Sequence, residues 1–202
     1  MCVSVVRILV TVAVIASCAV IVRSQRPGFG TCPDYPSVEN FDIRKFQGEW
    51  FEVERSFYIL ELVTGCTTLN FTVRPDNVFK VAIKTANKWN GNIMIGLLGT
   101  ATPQRWNRAE LVFKIDSNLP PMLVRAMPGV GNYKVLGTDY TSFALLYSCS
   151  DMGILHADLL WVLARQKELP VTSRVQVYDI LSTLNIDPGR LTLTKHNKCP
   201  QF

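Results

Sequence analysis

Apolar and polar residues alternate with a period of two through most of the region from Trp50 to Arg165. Turn residues break this alternation repeatedly, which is typical of antiparallel strands that bury one face in a sandwich or barrel. The pattern predicts eight strands, at residues 50–58, 66–74, 77–86, 92–102, 109–116, 132–139, 142–149 and 156–164. The preceding residues 25–45 carry proline and glycine and predict an irregular arm.

The alternation also assigns a face to each side chain. Residues 70–72 read Asn-Phe-Thr, an N-glycosylation sequon, so Asn70 is expected on the solvent face. The inner face is then apolar and aromatic: Leu69, Phe71, Val73, Phe79, Val81, Ile83, Leu111, Phe113 and Ile115. "PDN" (75–77) and "WNGN" (89–92) predict hairpin turns.

After Arg165 the period changes to that of a helix. The apolar positions form one helical stripe: Val177, Ile180, Leu181 and Leu184. Ser173 with Gln176 fits a capping box, and "DPG" (187–189) is expected to end the helix. A short strand, "RLTLT" (190–194), follows. We therefore expect one amphipathic helix packed on the outside of the sheet.

The first 24 residues predict a secretory signal peptide. Arg7 precedes a continuous apolar run of 15 residues (8–22), whereas a membrane span needs roughly 20. Cleavage between Ser24 and Gln25 would leave a single domain over 25–202 and a secreted, extracellular protein. The alternative is a bacterial lipoprotein box, "IASC", which would acylate Cys18. The polar end of the chain offers neither a membrane helix nor an anchor signal.

Charge and cysteine content narrow the class further. The formal net charge of +5 falls to +3 once Arg7 and Arg23 are removed with the leader, and the cations form no run, so a nucleic-acid partner is not expected. Four cysteines remain: Cys32, Cys66, Cys149 and Cys199. In an oxidising compartment they predict two disulfides, with three possible pairings. No cysteine pair has zinc-site spacing and the chain has 2 histidines, so we expect no metal site.

Eight up-and-down strands close into a barrel whose interior holds one small ligand. In such a meander the start of strand one, the end of strand six and the end of strand eight meet at one end. These places are taken by Gly48 and Trp50, by Thr138, Asp139 and Tyr140, and by Arg165. Stacking of a guanidinium on an indole is worth about 0.5–2 kcal/mol. We expect these residues to close one end of the barrel, which is a structural role.

Three segments resemble the signature regions of the lipocalin family: "FQGEWFEVERS" (46–56), "VLGTDYTSFALLYSC" (135–149) and "DLLWVLAR" (158–165). The match continues through 169–200 and is similar to the group that includes apolipoprotein D and the insect Lazarillo proteins. The resemblance implies an all-β fold, an eight-stranded antiparallel up-and-down barrel with one C-terminal α-helix packed outside. It also implies the disulfides Cys32–Cys149 and Cys66–Cys199, which would pin the N-terminal arm and the C-terminal tail to the barrel.

The expected ligand-binding residues are Phe71, Phe79, Val81, Phe113 and Trp161. Trp161 matches a tryptophan that lines or borders the pocket in the similar lipocalins, and the alternative for each of the five is plain packing of the barrel. Burying roughly 350 Å² of apolar ligand surface gains about 9 kcal/mol. Association costs several kcal/mol of that. Micromolar or somewhat tighter binding of fatty acids, sterols or similar lipids is therefore expected.

The meander places four loops at the open end: 59–65, 87–91, 117–131 and 150–155. Two segments near them, 56–63 and 119–131, are strongly apolar. With Trp89 they would form a rim that touches membranes or lipoproteins; the alternative is a strand extension packed on its neighbours. Met122 and Met127 could be oxidised by lipid hydroperoxides, which would give a protective function.

Three other functions remain open. A bilin, such as biliverdin, also fits such a barrel, although few cations are expected on the inner face. A thiol enzyme would need a free Cys66, which is expected to be bonded, and neither His156 nor His196 has a visible nucleophile partner. A surface-interaction protein would need a receptor or direct lipid contact. We expect a carrier that is not an enzyme and has no cofactor other than its bound ligand.

Overall fold

The computed structural model describes residues 28–57, 64–87, 93–118, 130–151 and 153–194, together with His196 and Cys199. The expected signal peptide lies outside the described residues. The same holds for most of the expected apolar rim, including Trp89, Met122 and Met127, and for the predicted turn at 89–92.

Eight antiparallel strands close into a barrel, which confirms the predicted fold. A two-residue strand, β1 (Gly28–Phe29), and a single helical turn, α1 (Ile43–Phe46), precede them. The barrel strands are β2 (Gly48–Ser56), β3 (Thr64–Val73), β4 (Phe79–Asn87), β5 (Ile93–Pro103), β6 (Glu110–Ile115), β7 (Gly131–Thr138), β8 (Phe143–Asp151) and β9 (Leu155–Ala164). Each strand pairs with the next, and β9 pairs with β2 to close the barrel. The predicted strand ends differ from these by no more than two residues.

The β3–β4 hairpin shows how local sequence fixes the register. The backbone N–H of Arg74 donates to the carbonyl of Val78 at 2.9 Å, and that of Asn77 donates to the carbonyl of Arg74 at 3.0 Å. Asn77 adopts the left-handed conformation, with φ 58°, which asparagine tolerates better than most residues. The predicted "PDN" turn is therefore confirmed.

The alternation produces two hydrophobic cores, one inside the barrel and one outside it. Phe79, Val81 and Leu146 are buried in the inner core, whereas Leu145 and Leu160 are buried in the outer one. On β3 the side chain of Phe71 is buried and that of Asn70 is exposed, as the alternation predicts.

A helix, α2 (Val171–Thr183), covers the outer core. The predicted stripe is confirmed, since Val177 and Leu181 are fully buried and Ile180 packs on the same cluster. The close approach of α2 requires a glycine at position 137, because a Cβ there would lie 2.5 Å from Cδ1 of Ile180.

The predicted limits of this helix are wrong at both ends. Pro170 is the N-cap and no side chain caps the helix, whereas Ser173 lies buried within the first turn. The capping box does not form, because α2 begins two residues before Ser173 and Ser173 is therefore not the N-cap. Pro170 takes that place, and the fixed φ of proline suits the start of a helix. The helix ends at Thr183, and the "DPG" segment instead forms a separate 3₁₀ turn (Pro188–Arg190).

The C-terminal tail completes the barrel wall. β3 pairs with β2 only over Gly48–Phe51, and a short strand, β10 (Leu191–Leu193), pairs with β2 at Glu54, Arg55 and Ser56. Because β9 occupies the opposite edge of β2, β10 lies in the gap where β3 has separated from β2. We call this gap, between the C-terminal half of β2 and the N-terminal half of β3, the seam.

Both disulfides implied by the resemblance are present. Cys32–Cys149 ties the N-terminal arm to β8, and Cys66–Cys199 ties the tail to β3 across the seam. In the described parts of the chain, no helix is long and apolar enough to cross a membrane.

Candidate functional site

One end of the barrel is closed by α1 and by side chains from β2, from the β7–β8 turn and from the residue that follows β9. Arg165, directly after β9, lies with its guanidinium carbon 3.7 Å from the ring centroid of Trp50. Its Nε donates to the carbonyl of Tyr140 at 3.0 Å. Its terminal nitrogens donate to the carbonyls of Glu49 and Gln47, each at 2.9 Å. One side chain thus joins β9, the β7–β8 turn and the start of β2.

Gly48 and Trp50 complete this arrangement. Gly48 has φ +104°, and a Cβ there would lie 3.1 Å from an Arg165 nitrogen, so both the backbone and the space favour glycine. The indole N–H of Trp50 donates to the carbonyl of Phe46 at 2.9 Å, which holds α1 against the barrel.

The turn between β7 and β8 is organised by Asp139. Its carboxylate accepts from the backbone N–H groups of Thr141, Ser142 and Phe143, at 3.1, 2.7 and 2.9 Å. Burial alone would raise the pKa of Asp139, but these donors outweigh it and hold the pKa below its usual value. The hydroxyl of Tyr140 accepts from the backbone N–H of Asp42, the N-cap of α1.

Phe46 forms the floor of the interior, and sequence reasoning gave it no role. Its ring is fully buried and lies 5.1 Å from Phe71, 5.1 Å from Trp50 and 6.0 Å from Phe79, between centroids. Phe71 and Phe79 therefore pack on the closed end at the bottom of the barrel, and their contact with a ligand stays a prediction. The missed signal was the i, i+3 spacing of Ile43 and Phe46, which buries both.

Above the floor, three aromatic rings from β6, β7 and β9 form a continuous wall. Tyr133 lies 6.3 Å from Phe113 and 5.4 Å from Trp161, between centroids. The Phe113 ring needs a glycine at position 99, because a Cβ there would lie 2.7 Å from that ring. Of the five expected ligand-binding residues, the structure thus places Phe113 and Trp161 on one wall, joined by Tyr133. Val81 is buried on the inner face of β4.

Two charged side chains are buried on the inner side of β2. Glu52 and Arg55 are about 3% and 6% exposed at the side chain, and Arg55 Nε lies 3.4 Å from a Glu52 oxygen. Arg55 is opposite Trp161 and Glu52 is opposite Leu163 in the β2–β9 register. The register shifts between Glu52 and Glu54, and this irregularity turns Arg55 to the inner face. Strict alternation along β2 would have placed Arg55 on the outer face. A bulge of this kind leaves no mark in the alternating pattern.

Further polar groups lie in the upper half of the interior. The Thr85 hydroxyl, near the open end of β4, donates to the carbonyl of Gly65 at 3.1 Å and lies 3.2 Å from the Thr67 hydroxyl. Both threonines are buried. The interior is therefore aromatic at its floor and carries polar and charged groups towards its open end.

The two histidines and Cys66 lie outside this interior arrangement. His156 contacts the carbonyl of Gly30 at 3.1 Å and covers Gly28 of β1. His196 belongs to the tail in the seam, 3.4 Å from Cys199. Cys66 is bonded to Cys199, so the thiol that a thiol enzyme requires is absent here. That the chain is not an enzyme stays a prediction.

A barrel of eight strands with one outer helix, a closed end and an interior lined with aromatic rings defines a protein of the lipocalin type. The family model "Lipocalin / cytosolic fatty-acid binding protein family" matches residues 47–197, and the chain belongs to this family. The family binds small hydrophobic ligands.

Within the family the chain is similar to apolipoprotein D. The protein of that name from Cavia porcellus is 31% identical over 175 residues, which cover 86% of this chain and 87% of the relative. The Lazarillo protein of Schistocerca americana is 22% identical over 170 residues, covering 82% and 75%. The solved structure of insecticyanin from Manduca sexta superposes with a TM-score of 0.66 at 22% identity, over 85% of this chain and 88% of that one. The last similarity concerns the fold alone.

Proposed function

We propose that the chain is a secreted extracellular carrier that holds a fatty acid, a sterol or a similar lipid inside its barrel. The observation that carries this proposal is the polarity of the interior. A floor of Phe46, Phe71 and Phe79 and a wall of Phe113, Tyr133 and Trp161 offer apolar surface of the kind that binds hydrocarbon.

The buried pair Glu52–Arg55 supports a ligand with one polar end. Charged groups are costly to bury and are retained where they are paired or contact a polar group. A lipid lying with its hydrocarbon on the aromatic floor would bring its head towards Arg55 and Thr85, which lie in the upper half of the barrel. An amphiphile therefore fits the interior better than a pure hydrocarbon.

An extracellular location is supported by the two disulfides, because disulfides persist in oxidising compartments. An N-glycan on Asn70 is compatible with its exposed position on β3. The same proposal includes contact of the apolar rim with membranes or lipoproteins. It also includes protection against lipid oxidation through Met122 and Met127.

Native mass spectrometry of the protein secreted by its own cells tests the proposal, with an absorbance scan and organic extraction of the same sample. A colourless protein that releases one fatty acid or sterol per chain is the expected result. Protein that carries no extractable ligand and that binds no added lipid at micromolar concentration would contradict it.

The second candidate is a bilin carrier, and Arg55 is the observation that favours it. A buried guanidinium on the inner face can pair with the propionate of a tetrapyrrole. The expectation of few inward cations overlooked this residue. A blue-green protein in the same absorbance scan would establish the bilin and exclude the colourless lipid complex.

A further inference from the structure

The tail brings a third metal-binding side chain to the Cys66–Cys199 disulfide. Nδ1 of His196 lies 3.4 Å from the sulfur of Cys199. The ligand atoms of Cys66, His196 and Cys199 all lie within 4.8 Å of one another. No metal site was expected from the cysteine spacing and the two histidines, because Cys66 is 133 residues from Cys199 and no local spacing brings them together with His196.

The ring of His196 is held in the orientation that a metal ligand needs. Its Nε2 lies 2.7 Å from the backbone carbonyl of Glu52. A carbonyl oxygen only accepts hydrogen bonds, so Nε2 is the nitrogen that carries the hydrogen. Nδ1 then carries the lone pair, and it faces the sulfur of Cys199. A backbone carbonyl on the distal nitrogen is the usual support of a metal-binding histidine.

The spacing also suits a tetrahedral ion. With Zn–S of about 2.3 Å and Zn–N of about 2.0–2.1 Å, tetrahedral geometry places sulfur and nitrogen about 3.5 Å apart and the two sulfurs about 3.8 Å apart. The present Cys199–His196 distance of 3.4 Å already meets the first requirement. The second is met once the S–S bond is broken and the sulfurs separate. Cys66 lies in β3 and Cys199 in the tail, and neither takes part in the β2–β9 pairing that closes the barrel.

We propose that Cys66, Cys199 and His196 form a Zn²⁺ site when their disulfide is reduced. A dithiol reductant transfers two electrons and two protons to the bridge and is itself oxidised to a disulfide. Zn²⁺ then replaces the two thiol protons, which pass to solvent, and two thiolates and Nδ1 coordinate the ion, with a fourth position open to water. The ion holds the tail to β3 in place of the disulfide, so the seam stays closed under reducing conditions. Thiolate and imidazole ligands favour Zn²⁺ over Mg²⁺ or Ca²⁺.

The test uses the full mature chain with Cys32→Ala and Cys149→Ala, which leaves Cys66 and Cys199 as its cysteines. The protein is reduced with a phosphine, freed of oxygen and titrated with Co²⁺, whose thiolate charge-transfer absorption reports sulfur coordination, and then with Zn²⁺ in competition. One Co²⁺ per chain, displaced by one Zn²⁺, is expected after reduction, and none before it. Zn²⁺ should also raise the melting temperature of the reduced protein, because it binds the folded chain.

The two histidines of the chain provide a matched pair of variants. His196→Gln should weaken Zn²⁺ binding at least tenfold, whereas His156→Gln should leave it unchanged. Equal affinities for the two variants would overturn the assignment of His196, and reduced protein that binds no ion would overturn the site. If reduction unfolds the chain, Zn²⁺ must restore its far-ultraviolet circular dichroism, and failure to do so also overturns the proposal. Lipid binding of the oxidised protein is measured separately, so that its loss is not confused with loss of the metal site.

Discussion

Arg55 lies directly opposite Trp161 across the β2–β9 pair, and both side chains are on the inner face of the barrel. The pairing puts a buried cation, held by Glu52, beside the aromatic wall. Strand β2 thus begins at the closed end with Gly48 and Trp50, and its C-terminal half places the charged pair in the interior.

Removal of this charged pair should change which ligands bind. The variant Glu52→Gln with Arg55→Met keeps the volume and avoids leaving one buried charge without the other. We expect it to bind a long-chain fatty acid about tenfold more weakly, which is about 1.4 kcal/mol, and to bind the methyl ester of that acid within twofold of the parent. Competition against a fluorescent lipid measures the dissociation constants of the acid and of the ester. An equal loss of affinity for the two would show that the Glu52–Arg55 pair does not contact the carboxylate end of the lipid.

Trp161 should report ligand binding through its fluorescence. Trp161→Phe is expected to weaken lipid binding by about three- to tenfold, because part of the buried wall is lost. The same variant should lose most of the ligand-induced change in emission. Trp106 is 76% exposed, so Trp106→Phe is the matched control. It should retain the parent's lipid affinity and the ligand-induced change in emission. A Trp161→Phe protein with the parent's affinity and emission change would place the ligand elsewhere.

Arg165 should contribute strongly to stability. Arg165→Ala removes hydrogen bonds to several carbonyls and the stacking on Trp50, and we expect a loss of about 3 kcal/mol in the free energy of unfolding. Urea denaturation followed by circular dichroism gives the value. Arg105 is exposed, and Arg105→Ala should cost less than about 0.5 kcal/mol. Similar costs for the two variants would contradict the role given to the closed end.

Acid should weaken the β7–β8 turn through Asp139. Its pKa in the folded protein lies below the ordinary 3.8, so its carboxylate stabilises the fold above the unfolded-state pKa. That contribution is lost as the pH falls through the folded-state pKa. The stability difference between the parent and Asp139→Asn should therefore be constant from about pH 7 to pH 5 and shrink below about pH 4. Urea denaturation across this range measures it, and a difference that grows with acid would reverse the sign we assign.

Much of the fold follows from the sequence because each strand buries one face. The alternation identifies all eight barrel strands, and the stripe through Val177 and Leu181 identifies the outer helix. The limits of that helix could not be predicted in the same way. The helix begins after Pro170 and has no side-chain cap. Its start depends on how the chain leaves β9, which is a tertiary constraint.

The site was less accessible to sequence reasoning. The inward position of Phe113 follows from the alternation, and Trp161 was expected from the resemblance to similar lipocalins. Arg55 could not be predicted in either way, because the irregularity between Glu52 and Glu54 reverses its face. Phe46 was missed because its signal, the i, i+3 spacing with Ile43, spans a single helical turn and is easily overlooked beside the strand pattern. His196 meets Cys66 only through the path of the tail, and no local pattern records that path.

The position of β10 in the seam has a consequence for biosynthesis. During translation, β2 emerges from the ribosome long before Leu191–Leu193, which pair with its C-terminal half. That half of β2 therefore keeps an unoccupied hydrogen-bonding edge until Leu191–Leu193 have left the ribosome. A nonsense codon just before Leu191 would spare all eight barrel strands and still yield a product with this edge exposed, which favours aggregation.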